Sequence, residues 1–151
     1  MDVNYNQILN EILDNVSSVL DLSDYEKTMI TDGLLIVRKP LPSTKLKASE
    51  DLANITKSCS DYNYILTKLR SARLKVLATY KPEYDKKFTI LTRQGRPSRE
   101  AISSEIHYTN PDMSTQRSLL EKIDSVEEFL KFQLSVLDKY YRAIDSRQYA
   151  M

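Results

Sequence analysis

Tryptophan is absent from these 151 residues, glycine occurs twice, proline five times and cysteine once. So few glycines argue against an all-β fold built on tight hairpins, because the favoured two-residue turns need positive φ. Cys59 is alone and cannot close an internal disulfide, which points away from a stapled secreted domain. No apolar run reaches the length of a membrane span or a signal-peptide core. The expectation is a soluble, intracellular and cytoplasmic chain with no membrane partner.

Chemistry is lacking too. There is no Gly-rich phosphate loop, no paired-acid constellation and no nucleophile elbow, so no catalytic residue is assigned and a non-enzyme is expected. Cys59 has neither a second cysteine nor suitably spaced histidines and carboxylates beside it, so no metal and no cofactor are expected, and it reads as a small core residue. His107 is the single histidine and is expected on the surface or in a loop.

What the chain does have is charge of one sign gathered in one place. Residues 68 to 99, "KLRSARLKVLATYKPEYDKKFTILTRQGRPSR", hold ten Lys or Arg against Glu83 and Asp85, a balance of +8 that leaves −7 for the remainder of a chain whose total is +1. Residues 1 to 36 carry seven acids against one base, Lys27. Such a run reads either as a solvated face or as a surface for a polyanion.

Leu, Ile, Lys, Glu, Asp and Ser in bulk suit helices, so the predicted class is mainly α. In "NQILNEILDNVSSVL" the positions Ile8, Ile12, Val16 and Val19 share one helical face, with Leu9, Leu13 and Leu20 beside it. Ser23 and Glu26 form a capping box ahead of a second helix through Tyr25, Met29, Ile30, Leu34 and Val37. Pro40 and Pro42 then mark a hinge, giving an N-terminal helical hairpin over 1–38 and a second domain over 47–151.

That second domain reads as a long helical hairpin with heptad-like seams. Leu52, Ile55, Cys59, Tyr62, Leu66, Leu69, Arg73, Val76 and Tyr80 form one coiled-coil stripe. Leu119, Ile123, Val126, Leu130, Gln133, Leu137, Tyr140 and Ile144 form the other, and the runs that hold them, residues 47 to 80 and 116 to 146, are each long enough for about 45 Å of helix. Arg73 and Gln133 interrupt these stripes. Polar seam residues fix register or oligomer state at a cost in stability, and Arg73 can instead snorkel. Leu120, Phe129, Leu134, Val136 and Tyr141 widen the second stripe, to be covered by the N-terminal hairpin or by self-association.

The connection, residues 81–113, is too long for an ordinary bundle loop. "KFTILT" reads as a short strand, "PSREAISSEI" as a short helix begun at Pro97 and Ser98, and "RQGRP" as a mobile tip around Gly95. Nucleic-acid binding uses the composition best. Lys68, Arg70, Arg73, Lys75, Lys81, Lys86, Lys87, Arg93, Arg96 and Arg99 would neutralise phosphates, and Tyr80, Tyr84 and Phe88 would stack on bases. Without a helix-turn-helix, zinc site or basic zipper, sequence-independent binding to single-stranded DNA fits better than duplex readout.

Two stretches carry a resemblance: "ARLKVLATYKPEY", a Lys- and Arg-rich helix ending near tyrosines, and "NPDMSTQRSLLEKIDSVEEFLKFQLSVLDKYYRAIDSRQYA", whose ending matches at Ile144, Ser146, Arg147 and Tyr149. Over about residues 60 to 149 the chain resembles UvsY-like recombination mediators of tailed phages. The resemblance implies an all-α homo-oligomer in the host cytoplasm that binds single-stranded DNA during DNA recombination and repair. It also implies contacts with the phage recombinase and the single-strand-binding protein, one of which is loaded in place of the other. Arg70, Arg73 and Lys75 occupy the place of that family's DNA-contacting residues. Family members continue into a further helix used in ring assembly and have a shorter N-terminal part, so oligomerisation here is expected to be absent or carried by residues 1 to 38. The alternative is a helical structural or adaptor protein of a phage particle, assembling through complementary acidic and basic surfaces.

Overall fold

A computed structural model describes residues 2–95 and 98–150, and among them the chain forms five helices and no strand. They are α1 (Asp2–Ser17), α2 (Asp24–Ile36), α3 (Lys45–Arg93), α4 (Arg99–Thr109) and α5 (Pro111–Tyr149). The protein is mainly α, and none of the described helices is long and apolar enough to cross a membrane. α3 extends for about 73 Å and α5 for about 58 Å at 1.5 Å per residue. Two compact units divide the chain, Met1–Leu69 with Val126–Met151 and Arg70–Ser125. The divisions cut both long helices rather than falling at the Pro40 and Pro42 hinge.

In the first unit, α2 begins with the expected capping box. Ser23 Oγ accepts from the Glu26 amide at 3.1 Å and the Glu26 carboxylate accepts from the Ser23 amide at 2.9 Å. Leu20 and Leu22 are buried at the turn, and the Tyr5 hydroxyl donates to the Leu34 carbonyl, holding α1 to α2. Ile36, Ala48, Ile55, Leu137 and Ile144 form one core cluster, with Cys59 half-buried against it. Burial pushes the Cys59 thiol up, and the Asp138 carboxylate adds to that shift.

The stripe on α3 lies partly one residue away from the one read in the sequence. The buried series in this unit runs Ala48, Asp51, Ile55, Ser58, Tyr62, Ile65 and Leu69, again in steps of three and four. Ile55, Tyr62 and Leu69 are common to both series and Leu66 is also buried, whereas Leu52 and Cys59 are only half-buried. α3 is covered by α2 on one side and by α5 on another, so its buried arc is wider than a two-stranded seam. Two of the added positions, Asp51 and Ser58, are polar, which conceals the arc from a hydrophobic pattern.

One contact sets the spacing of α2 and α3. Tyr62 is fully buried, and its hydroxyl donates to the Ile30 carbonyl at 2.7 Å. Burial pushes that hydroxyl's pKa far above its ordinary value, so it stays a donor. A Cβ on Gly33 would stand 2.4 Å from Tyr62 Cε1. Gln133 of α5 reaches the same place, its amide donating to the Gly33 carbonyl at 3.1 Å. It is therefore a satisfied tie between α5 and α2 within one chain.

Gly33→Ala should destabilise the protein. Overpacking against Tyr62 costs about 1–3 kcal/mol, more than the helix-propensity gain of about 1 kcal/mol from removing glycine. Urea denaturation reads the sum, and an unchanged midpoint would mean that Tyr62 has room to retreat. Asp51 gives the opposite sign. Its carboxylate is buried with no hydrogen-bond partner among the described residues, and Lys47 Nζ stands 3.9 Å away. Replacing the carboxylate by the neutral amide in Asp51→Asn should raise the melting temperature, by an amount equivalent to about 1 kcal/mol; a lower melting temperature would show that Lys47 is a counter-charge the site depends on.

The second unit overturns the expectation of an irregular 81–113 insert. α3 continues through Pro82 and through "KFTILT" as helix to Arg93. Proline lacks the amide for one helical hydrogen bond, yet Tyr80, Tyr84, Phe88 and Leu91 recur at helical spacing and pack together against Ile102, Ile106 and Met113. That packing outweighs the β-propensity of Phe88, Thr89 and Ile90. Gly95, at φ 80°, lies in the turn that follows α3, a conformation that glycine adopts without penalty. Ser98 caps α4, its side chain accepting from the Ala101 amide at 3.1 Å. Pro97 and Arg96, placed in the helix start and the tip, lie outside the described residues.

Candidate nucleic-acid interface

The cations assigned from the sequence fall into three groups. Lys68 belongs to the first unit and is committed there, its Nζ 2.6 Å from the Glu26 carboxylate. That pair and the capping box together hold Glu26 down to about 2, with the Lys68 hydrogen bond the largest cause and the Ser23 amide next. Arg73 pairs with Asp124 of α5 at 3.2 Å, and Arg70 is also engaged within the protein. Of the trio that the family resemblance implicates, only Lys75 is left exposed with no carboxylate within ion-pair distance among the described residues.

Lys81, Lys86 and Arg93 share that condition. Lys86 follows Lys75 by eleven residues and Arg93 follows Lys86 by seven, separations that return within about 20° of the same direction around a helix. Lys75, Lys86 and Arg93 therefore make one outward row about 27 Å long on α3. Lys87 is half-buried and borders an open hollow with Ile90, Leu91 and Glu105. Arg99 lies over the Phe88 ring, its guanidinium carbon 5.7 Å from the ring centroid. Arg96 is outside the described residues.

The surrounding acids temper the charge. Arg70–Ser125 holds eleven Lys and Arg against seven Asp and Glu, a net of +4, because Glu100, Glu105, Asp112, Glu121 and Asp124 accompany the basic helix. The other unit, with eleven bases against fourteen acids, is at −3.

The aromatic residues are not free platforms. Tyr80, Tyr84 and Phe88 are half-buried, with successive ring centroids 5.7 and 6.0 Å apart, and α4 packs on them. His107, expected on the surface, is instead buried in this packing, because α4 is a helix whose inner face includes it. Its Nδ1–H donates to the Ser103 carbonyl at 2.7 Å, and its Nε2 accepts from the Tyr80 hydroxyl at 2.6 Å. The i, i+4 spacing of Ser103 and His107 within "PSREAISSEI" and the residues after it was the available signal. No group of three His, Cys, Asp or Glu among the described residues could hold a metal ion.

The geometry defines a helical protein with a row of cations on one long helix that are exposed and unpaired among the described residues. No protein-family model, curated protein or solved structure matches the chain.

The Lys68 pair predicts an acid-side instability. A carboxyl whose folded pKa lies below its ordinary 4.5 contributes fully above pH 4.5, and its contribution is lost as pH falls toward about 2. Lys68→Met should therefore lower stability at pH 7 by more than at pH 2.5, measured by thermal melts. An equal loss at both pH values would show that the ion pair with Glu26 is not its source.

Proposed function

We propose that this protein binds single-stranded DNA without sequence preference through the outward cations of α3, and acts without catalysis as a recombination mediator like those of the UvsY-like family. The observation that carries the reading is the row of Lys75, Lys86 and Arg93, exposed and unpaired among the described residues on a helix where Lys68 and Arg73 are held in ion pairs. Lys and Arg left without internal partners gain most from a polyanion, because binding phosphates releases condensed counterions. The mediator role, the recombinase and single-strand-binding partners, homo-oligomerisation and the host-cell cytoplasm come with the resemblance and belong to the proposal.

An adaptor role in a phage particle is supported by a different observation, the −3 and +4 balance of the two units, which would let the acidic unit of one copy meet the basic unit of the next.

Titrating the protein into a labelled oligonucleotide at several salt concentrations separates the two. Under the DNA reading, binding weakens with salt, and the triple change Lys75→Ala, Lys86→Ala, Arg93→Ala removes about 2 from the log–log slope, at about 0.7 per phosphate for single strands. Helicity should be unchanged, since all three side chains are exposed. Absence of binding at low salt, together with salt-sensitive self-association in light scattering, would favour the adaptor.

A further inference from the structure

Tyr80, Tyr84 and Phe88 form a ladder of rings along one face of α3, in the middle of its basic half. Lys81 precedes Phe88 by seven residues and Lys87 follows Tyr80 by seven, so each lies within about 20° of a ring about the helix axis. Rings flanked by cations are the means by which proteins hold single strands, stacking for the bases and charge for the phosphates. In this structure α4 occupies that surface.

The cover has the attributes of something displaceable. It is an 11-residue helix whose inner side consists of Ile102, Ile106 and His107, while Ala101, Ser104, Tyr108 and Thr109 face solvent. Short elements with few buried apolar side chains open at the lowest free energy in a fold. A polar latch joins it to α3, the Tyr80 hydroxyl donating to His107 Nε2 at 2.6 Å. The cover is also acidic. Glu100 and Glu105, with Asp112 at the start of α5, stand against one base, Arg99, and Glu105 shares an open hollow with Lys87. Carboxylates beside the basic helix stand where the phosphates of a strand would.

We propose that α4 masks a base-stacking surface made of Tyr80, Tyr84 and Phe88 with Lys81 and Lys87 at its edges, and that single-stranded nucleic acid occupies this surface when α4 is displaced. The proposal rests on the nucleic-acid reading above and adds to it a second, gated contact that recognises bases rather than phosphates. A ligand that binds only the open form shifts the population toward it, so the wild-type affinity is reduced by the cost of opening.

The test compares an oligothymidylate with an abasic strand of equal length, which offers the same phosphates and no bases. Wild type should bind the two alike or nearly so. Ile106→Asp, which removes the seat of α4 without altering α3, should bind the oligothymidylate about tenfold tighter than wild type, a gain in the range of one stacked base. The gain should be missing on the abasic strand and should vanish when Tyr84→Leu is added. Amide exchange establishes that α4 has opened while α2 and α5 stay protected. Ser104→Pro, which breaks α4 from its exposed side, serves as the independent second variant. Should α4 be open by exchange in either variant while both strands still bind equally, the masked surface does not exist. Should neither strand bind any of the proteins at low salt, the phosphate reading fails first and takes the stacking proposal with it.

Discussion

The close approach of Tyr62 to Gly33 is the constraint on which the first unit depends. A tyrosine ring buried in an all-helical core must find a partner for its hydroxyl, and the nearest acceptors are backbone carbonyls already inside a helix. Reaching the Ile30 carbonyl requires α2 to lie closer to α3 than any side chain at position 33 permits. With that spacing fixed, the Gly33 carbonyl is within reach of Gln133, and three helices meet at one point. The pair of Glu26 and Lys68 repeats the tie between α2 and α3 one turn away from the Ser23 cap. Each of these contacts joins residues far apart in sequence, so α2 is built into the unit.

The second unit is built on the opposite principle. Between Arg70 and Leu91 no residue of α3 is fully buried, and Leu74 is 67% exposed. Its cohesion comes from stacked rings, two isoleucines and a methionine, around the Tyr80–His107 bond. Fewer buried side chains mean less free energy holding each segment, so opening is cheaper here than around Tyr62. The cations are concentrated on this looser part of the chain.

Several elements were legible in the sequence because one local rule sufficed for each. The capping box at Ser23, the helix start at Ser98 and the helical class follow from spacing and composition alone. The seam on α5 was read correctly at Ile123, Val126, Leu130, Leu137 and Ile144, all buried. On α3 the hydrophobic pattern points toward Leu52 and Cys59, because a helix covered from two sides buries polar residues such as Asp51 and Ser58 that a hydrophobic count discards. The helix through Pro82 was missed for a related reason. Strand propensity in "FTIL" and proline at 82 are both local signals, and packing of Tyr80, Tyr84 and Phe88 on α4 overrides them. Of the site, the basic segment was visible, but its division was not. Which cations are consumed by Glu26 and Asp124, and which remain, is decided by carboxylates 42 and 51 residues away in the sequence.

That division bears on what a polyanion would meet. A cation already paired at the surface gains little from exchanging one carboxylate for a phosphate, since exposed ion pairs are worth less than about 1 kcal/mol and both states are screened. An unpaired one gains the full counterion release. A single helix also holds its three outward cations in a straight row of fixed spacing, so little backbone entropy is lost when they bind. Duplex phosphates follow curved rails, and a straight row about 27 Å long meets them only in part. A flexible strand has no such restriction, because it can lie along the helix and bring phosphates several nucleotides apart to Lys75, Lys86 and Arg93. Rigidity on the protein side and freedom on the ligand side thus favour the single strand, with no sequence preference required of either.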